Sequence, residues 1–304
     1  MKKYKPYLGR VDLVKNQVER EKLAEQEAVS KRKRSIQQQN KQRWLKYQEQ
    51  LRSELAARYF HSVQSVGGED AASFSDTTSF QFDGGDEAFI SSNNFTSLDG
   101  GSYMAVSFWV KVPDVSLNNE NLIVIDNSSG YTFLLFVRTN GVLDATFTSS
   151  GNFTRSNTGA ITDNTWHHVY VRFDGSISSR FSRLRIFVDG SLNHASSNFG
   201  NITAVPTNSQ KLYFARNAGG SNYSPISLNE IAFYTSGNDS LPAEIYGTGK
   251  ANDLSTNSIT PNNWWRSENA THDGTNWTMS DEVNSVEVVS ENMDNTRRKE
   301  DVPG

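Results

Sequence analysis

The residues most able to do chemistry in this chain are few and awkwardly spaced. His167 and His168 stand side by side in the stretch from Trp166 to Gly175, whose alternation reads as a strand running into an Asp-Gly turn. Neighbours on a strand point to opposite faces, so the two imidazoles cannot share one metal ion. The same geometry separates the carboxylates of Asp86 and Glu87, and of Asp281 and Glu282, whereas glycoside hydrolysis needs two carboxylates facing each other across the bond. Cysteine is absent, which excludes disulfides and thiolate metal sites. Neither a Ser/His/Asp arrangement nor a phosphate-cradling glycine loop is visible. The chain is therefore expected not to be an enzyme. Recognition is the other option: Asn222, Tyr223, Trp264, Trp265 and Trp277 are candidate glycan contacts, joining aromatic faces to amide groups.

The elements that must position these residues are short strands. Tyr103–Val112, Asn121–Asp126, Tyr131–Arg138, Val142–Thr148, Trp166–Gly175, Arg183–Gly190, Lys211–Ala215 and Ile226–Thr235 are separated by turn residues such as Asn-Ser-Ser-Gly and Thr-Asn-Gly. That spacing predicts an antiparallel β-sandwich or jelly roll rather than βαβ units. One short helix is predicted at Ser240–Tyr246, with Ser240 as its N-cap.

Before the strands the composition changes. Residues 1–66 carry 16 Lys/Arg against 7 Asp/Glu, and residues 67–304 carry 14 against 27, so a basic end precedes an acidic body. From Val11 to Phe60 there is no Pro or Gly and helix formers dominate, predicting one long helix or two in series. Trp44, Leu51, Leu55 and Tyr59 mark an apolar face late in that segment, while its centre, with Arg32 and Arg34, is nearly all polar. A helix without a continuous apolar face is expected to dock on another protein or bundle with copies of itself. Nucleic acid is not the expected partner, because a charge run reads first as a solvated face. The predicted organisation is a basic helical anchor at 1–66, a linker at 67–73 containing Gly67-Gly68, a sandwich at 74–295 and a tail at 296–304. No apolar run approaches the roughly 18 residues of a membrane span. The basic N-terminus lacks the apolar stretch of a secretory signal, so synthesis and assembly in the cytoplasm are expected.

Six motifs in order resemble the laminin-G-like, concanavalin A-like jelly-roll family: Phe82-Asp-Gly followed by Phe89-Ile90, Val106-Ser-Phe-Trp-Val-Lys111, Trp166-His-His-Val with Phe173-Asp-Gly, Phe187-Val-Asp-Gly190, Leu228–Tyr234 and Ala243-Glu-Ile-Tyr246. The resemblance implies a mainly β, concanavalin A-like antiparallel jelly-roll sandwich, here preceded by a long basic α-helical segment. Members usually open with a Trp-Arg strand and an Asp-rich turn. Here Trp264-Trp-Arg266 and Met279–Val283 follow the sandwich instead, so 254–295 is expected to supply closing strands to the same subunit. The hydrolase branch usually carries a Glu-x-Asp-x-Glu strand, which this sequence lacks. Relatives often hold calcium in rim loops, which makes Asp83, Asp86, Asp174 and Asp189 the calcium candidates; Asp-Gly is also simply the preferred hairpin turn. No cofactor is otherwise required. The Trp-Trp-Arg segment, Glu291-Asn-Met293 and Asp301-Val-Pro303 are similar to endings of marine bacteriophage structural proteins that carry such modules. That similarity implies a virion structural protein assembled in the host cytoplasm. Residues 1–66 would bind other virion proteins at a tail, connector or fibre, as a homo-oligomer or symmetric ring, and the lectin-like domain would attach to host-surface glycan. The alternative is a capsid decoration, cement or head-fibre protein that uses the sandwich for protein contacts.

Overall fold

The computed structural model describes residue 22 and residues 74–304, apart from 118, 128–129, 149–151 and 195. The chain divides between residues 72 and 73. The expected helix, with Arg32, Arg34, Trp44, Leu51, Leu55 and Tyr59, and the expected linker lie outside the described residues.

The second unit is built from short strands. In chain order these begin with β1 (Ser79–Gln81), β2 (Ala88–Ser91), β3 (Tyr103–Lys111), β4 (Glu120–Asn127), β5 (Gly130–Arg138) and β6 (Val142–Phe147). Next come β7 (Phe153–Arg155), β8 (Trp166–Asp174), β9 (Leu184–Val188), β10 (Ser191–Leu192), β11 (Ser196–Asn198) and β12 (Ser209–Phe214). The last are β13 (Ser227–Tyr234), β14 (Asn263–Trp265), β15 (Thr271–His272), β16 (Trp277–Met279), β17 (Val288–Glu291) and β18 (Arg298–Lys299), with one helix, α1 (Leu241–Tyr246), after β13. They form two antiparallel sheets. One runs β10-β9-β8-β3-β13-β1-β18, with β14 also on β13; the other runs β11-β7-β6-β5-β4-β12-β2-β17-β16-β15. The mainly β, two-sheet sandwich expected from the sequence is what forms.

Between the sheets lies one large apolar core. Val106, Phe108, Val169 and Val171 from the first sheet meet Phe89, Phe133, Leu135 and Phe214 from the second. Aromatic contacts tie the layers together, with Phe147 stacked on Phe173 at 4.5 Å and Phe80 edge-on to Phe89 at 4.8 Å. The sequence pattern of β3 and β8 predicts strands buried on one side only. Instead eight of the nine β3 residues are buried. The reason is a second cluster on the outer face of the first sheet, where Tyr103, Ala105, Tyr170, Ala232 and Tyr234 are covered by Leu241, Ile245, Leu254 and Trp264. Helix α1 is the main cover. Its N-terminus is capped not by the Ser240 side chain but by Asn238 Oδ1, which accepts from the Ser240 and Leu241 amides at 2.9 and 3.0 Å.

Two sequence expectations concern the C-terminal strands. Segment 254–295 is hydrogen-bonded into its own chain, with β14 on β13 and β17 on β2. Residues 296–304 are not a tail. Strand β18 pairs with β1, Asp301 pairs with Lys111, and Trp166 Nε1 donates to Asp301 Oδ1 at 3.1 Å. The edge of β1 needs a partner for its backbone groups, and the last residues supply it.

Candidate functional site

The two histidines occupy opposite sides of β8, as strand alternation requires. His168 is buried against Trp109, its Nε2 lies 2.8 Å from Ser107 Oγ, and desolvation pushes it down to about 4, so it is neutral near pH 7. His167 bonds Asp189 Oδ2 at 2.9 Å and Thr162 Oγ1 at 2.9 Å. Both are packing groups.

Three of the calcium candidates, Asp83, Asp174 and Asp189, use their carboxylates as turn or ion-pair acceptors. Asp189 and Gly190 both have positive φ, as a two-residue hairpin between β9 and β10 demands, and Asp189 Oδ1 accepts from the His168 amide at 2.9 Å. Asp174 accepts from the Ser176 amide at 3.0 Å, and Asp83 from the Gly85 amide at 2.7 Å and from Arg297 Nη2 at 2.6 Å. The Asp86 carbonyl accepts from Asn292 Nδ2 at 3.2 Å. Among the described residues the acidic trio whose ligand atoms come within 4.8 Å of one another is Asp76, Glu230 and Glu268, none of them a sequence candidate.

That trio belongs to a buried clamp. A bulge in β13 between Asn229 and Ala232 puts Glu230 at φ 50 beside Trp264, whose Nε1 donates to Glu230 Oε2 at 2.6 Å. Arg266 Nε donates to Glu230 Oε1 at 3.1 Å and Arg266 Nη2 to the Ser75 carbonyl at 2.6 Å. Glu268 Oε1 accepts from the Thr77 and Thr78 amides at 2.5 and 2.7 Å. Glu230 and Glu268 are thus engaged with protein donors, and the set ties Ser75, Thr77 and Thr78 to β14 and the residues just after it. Asp76 Oδ2 is buried without a hydrogen-bond partner among the described residues. Burial raises Asp76 to about 6 and Glu230 to about 8, against the lowering effects of Asn229 and Arg266 respectively. A carboxyl raised in the folded state contributes stability that is fully present below its unfolded value and is lost as pH rises through the folded one. The melting midpoint should therefore fall by several degrees between pH 6.5 and 9. In Glu230→Gln the midpoint should stay level over that interval, which calorimetry at stepped pH would check; an unchanged slope would contradict the assignment.

Among the described residues, no apolar cluster covers the outer face of the ten-stranded sheet. Phe133, Leu135, Phe147 and Phe214 point into the core, so the alternate positions point out. Register places Phe153, Thr146, Leu134, Val124, Tyr213, Ile90 and Val289 on one continuous row across seven strands. None of them belongs to either core cluster. Phe153, Leu134, Ile90 and Val289 are half-buried, whereas Val124 and Tyr213 are shielded by their neighbours.

Polar groups border this row on both sides of its centre. Buried Asp144 accepts from Arg138 Nε at 2.7 Å and Arg155 Nε at 2.8 Å, and these guanidiniums lie over Phe136 and Phe153 at 5.1 and 4.3 Å. Arg216 lies over Tyr213 at 4.9 Å, pairs with Glu291 and donates to Tyr223 Oη at 3.2 Å. Tyr213 Oη donates to Asp126 Oδ2 at 3.3 Å. The face thus combines an apolar row with a few fixed polar groups.

Of the glycan candidates, Tyr223 and Asn222 lie at this border, where the Asn222 carbonyl accepts from Asn121 Nδ2 at 3.0 Å. The tryptophans do not. Trp264, Trp265 and Trp277 are at most 7% exposed, and their indole nitrogens are spent on Glu230, the Val286 carbonyl and the Asp294 carbonyl. Large flat side chains fill a sandwich core once a buried acceptor meets the N–H. Sequence reasoning missed Phe153, Leu134, Tyr213, Arg138 and Arg155. The available signal was that β5, Tyr131-Thr-Phe-Leu-Leu-Phe-Val-Arg138, is apolar on both faces with no helix predicted to cover one of them.

A family profile described as the concanavalin A-like lectin/glucanases superfamily, of the laminin G type, matches residues 82–237. The chain belongs to this superfamily. The match runs from the end of β1 to just beyond β13, so β14–β18 of this concanavalin A-like sandwich lie outside it. Among solved structures, a candidate carbohydrate-binding protein from Bacteroides ovatus is similar, with TM-score 0.54 and 14% identity over 76% of this chain. The chain spans 62% of that protein's length. A heptameric SAP-like pentraxin from Limulus polyphemus follows with TM-score 0.45 and 12% identity, covering 61% of this chain and 88% of the pentraxin. Domains LG4-5 of the mouse laminin α1 chain show TM-score 0.39 and 16% identity over 55% of this chain and 44% of theirs. These likenesses concern the fold. No curated protein sequence matches the chain.

Proposed function

We propose that this protein binds carbohydrate, without catalysis, through the outer face of the ten-stranded sheet. The observation that carries the reading is the asymmetry of the sandwich: α1, Leu254 and Trp264 cover the first sheet, while among the described residues no such apolar cluster covers the row on the second, which arginines and tyrosines border. The carbohydrate-binding description of the Bacteroides ovatus protein supports it by analogy of fold. Binding is favoured over hydrolysis because acidic groups on this face are tied to protein partners, Asp144 to two arginines through Oδ2, Glu291 to Arg216 and Asp126 to Tyr213. We further propose that residues 1–66 dock the protein to other components of a bacteriophage virion, in several copies, so that the sandwich is displayed for host attachment. The division of charge, basic before residue 67 and acidic after it, supports separate docking and display roles.

A glycan array probed with the full chain tests the binding reading. The protein should bind a restricted set of glycans, and Leu134→Asp, which puts a charge in the middle of the row, should lower affinity at least about tenfold while the melting curve stays cooperative. Undiminished binding by that variant would rule out this face. Mass spectrometry of purified particles tests the context: the chain should be found among virion proteins. Presence in particles with no glycan affinity would favour the decoration role instead.

A further inference from the structure

We infer that Arg138 and Arg155 make the proposed site selective for acidic carbohydrate, a sugar bearing a carboxylate or sulfate group; the inference rests on the carbohydrate-binding reading above. Both guanidiniums bond the same atom, Asp144 Oδ2, and both do so through Nε. One carboxylate therefore serves two cations, leaving the trio with a net positive charge. Asp144 is itself 1% exposed, whereas the two arginine side chains are 39% and 37% exposed. Their Nη groups have no hydrogen-bond partner among the described residues, so the outward end of each fork is available. A guanidinium presents those N–H groups in a plane that matches carboxylate or sulfate oxygens in pairs. The rings of Phe136 and Phe153 beneath them hold the forks in place, so binding an anion costs little side-chain entropy.

Among the described residues no other cation on this face is comparable: Lys211, which faces the same way as Tyr213, donates its Nζ to the Ser91 and Ser92 carbonyls. Arg216 is only 10% exposed on its side chain and is already matched by Glu291 and Tyr223. The body of the protein opposes anions in general, since residues 67–304 carry 14 basic against 27 acidic residues. A positive trio on an acidic domain therefore selects by local fit, not by bulk charge. Arg155 lies over Phe153 at one end of the apolar row and Arg138 over Phe136, the next outward position of β5 after Leu134, so a sugar ring lying on that end of the row places a ring substituent near them.

The test uses the full chain and pairs of glycans that differ only in a carboxylate or sulfate group. Calorimetric titrations would be run at ~0.05 M and ~0.3 M salt. The native protein should prefer the acidic member by about tenfold, with the preference shrinking at the higher salt. In Arg138→Gln/Arg155→Gln/Asp144→Asn, which keeps a polar network without charge, the ratio of affinities for the acidic and the neutral member should fall to about one. If that variant fails to fold, Arg155→Gln alone, which keeps the Arg138–Asp144 pair, should lose part of the preference. Equal affinity of the native protein for both members, or a preference that survives in the variants, overturns the inference and leaves carbohydrate binding standing. Failure to bind any glycan removes the reading beneath it and the inference together.

Discussion

A chain cut after Asp253 is expected to lose its cooperative thermal transition altogether. The removed residues contribute Trp265, Trp277, Met279, Val288 and Met293 to the core between the sheets. Each large side chain of this kind is worth about 1.5–3 kcal/mol when buried, so the five together supply about 10 kcal/mol, comparable to the whole stability of an ordinary domain. The cut also bares hydrogen-bonding edges. Strand β2 loses β17 and strand β1 loses β18, leaving unpaired strands that favour aggregation. The Arg266–Glu230 pair goes too, which leaves a buried carboxyl on β13 without its cation. Thermal melting by circular dichroism and limited proteolysis would check the result. A soluble core that melts cooperatively without residues 254–304 would show that the later strands decorate the sandwich and do not complete it.

Trp265→Ala should be the most damaging single substitution at the candidate aromatic positions, and it should act on stability alone. The Trp265 ring has no exposure and lies against Phe95, Phe214 and Phe233 at 5.9–6.1 Å, and its Nε1 donates to the Val286 carbonyl at 2.7 Å. Truncating it leaves a cavity bounded by both sheets and an unsatisfied carbonyl, costing about 3–5 kcal/mol. At the usual entropy of unfolding for a domain of this size, the midpoint should fall on the order of 10 °C. Glycan affinity measured well below the new midpoint should be unchanged, because Trp265 points into the core and the proposed site is on the opposite face of the second sheet. Loss of affinity with an unchanged midpoint would return Trp265 to the binding site.

The contrast between these tryptophans and Phe153 shows what the sequence carried. Strand positions were legible because alternation and turn chemistry are local: Tyr131–Arg138 lies within β5 (Gly130–Arg138), and Asp189-Gly190 forms the two-residue hairpin its composition predicts. The family followed from motifs spaced along residues 82–246, most of which the profile matching residues 82–237 covers. Site residues were less legible because exposure depends on what packs over a face. Trp264 was read as a rim aromatic, yet Phe74 stacks on it at 6.4 Å and Glu230 takes its N–H. Nothing local distinguishes it from a surface tryptophan. Phe153 and Leu134 carry the opposite lesson, since they look like core and face outward from a sheet that no apolar cluster of the described residues covers. Asp76, Glu230 and Glu268 are separated by up to 192 positions and meet only because a bulge in β13 turns one of them toward the others.

The most direct test of the central claim is hydrogen–deuterium exchange of the full chain with and without the tightest glycan from the array. Carbohydrate bound on the outer face of the ten-stranded sheet should slow exchange in peptides covering β5, β6 and β12, around Leu134, Thr146 and Tyr213, and leave α1 and β9 unaffected. Protection confined to α1, Leu254 and the covered face of the first sheet would contradict the account.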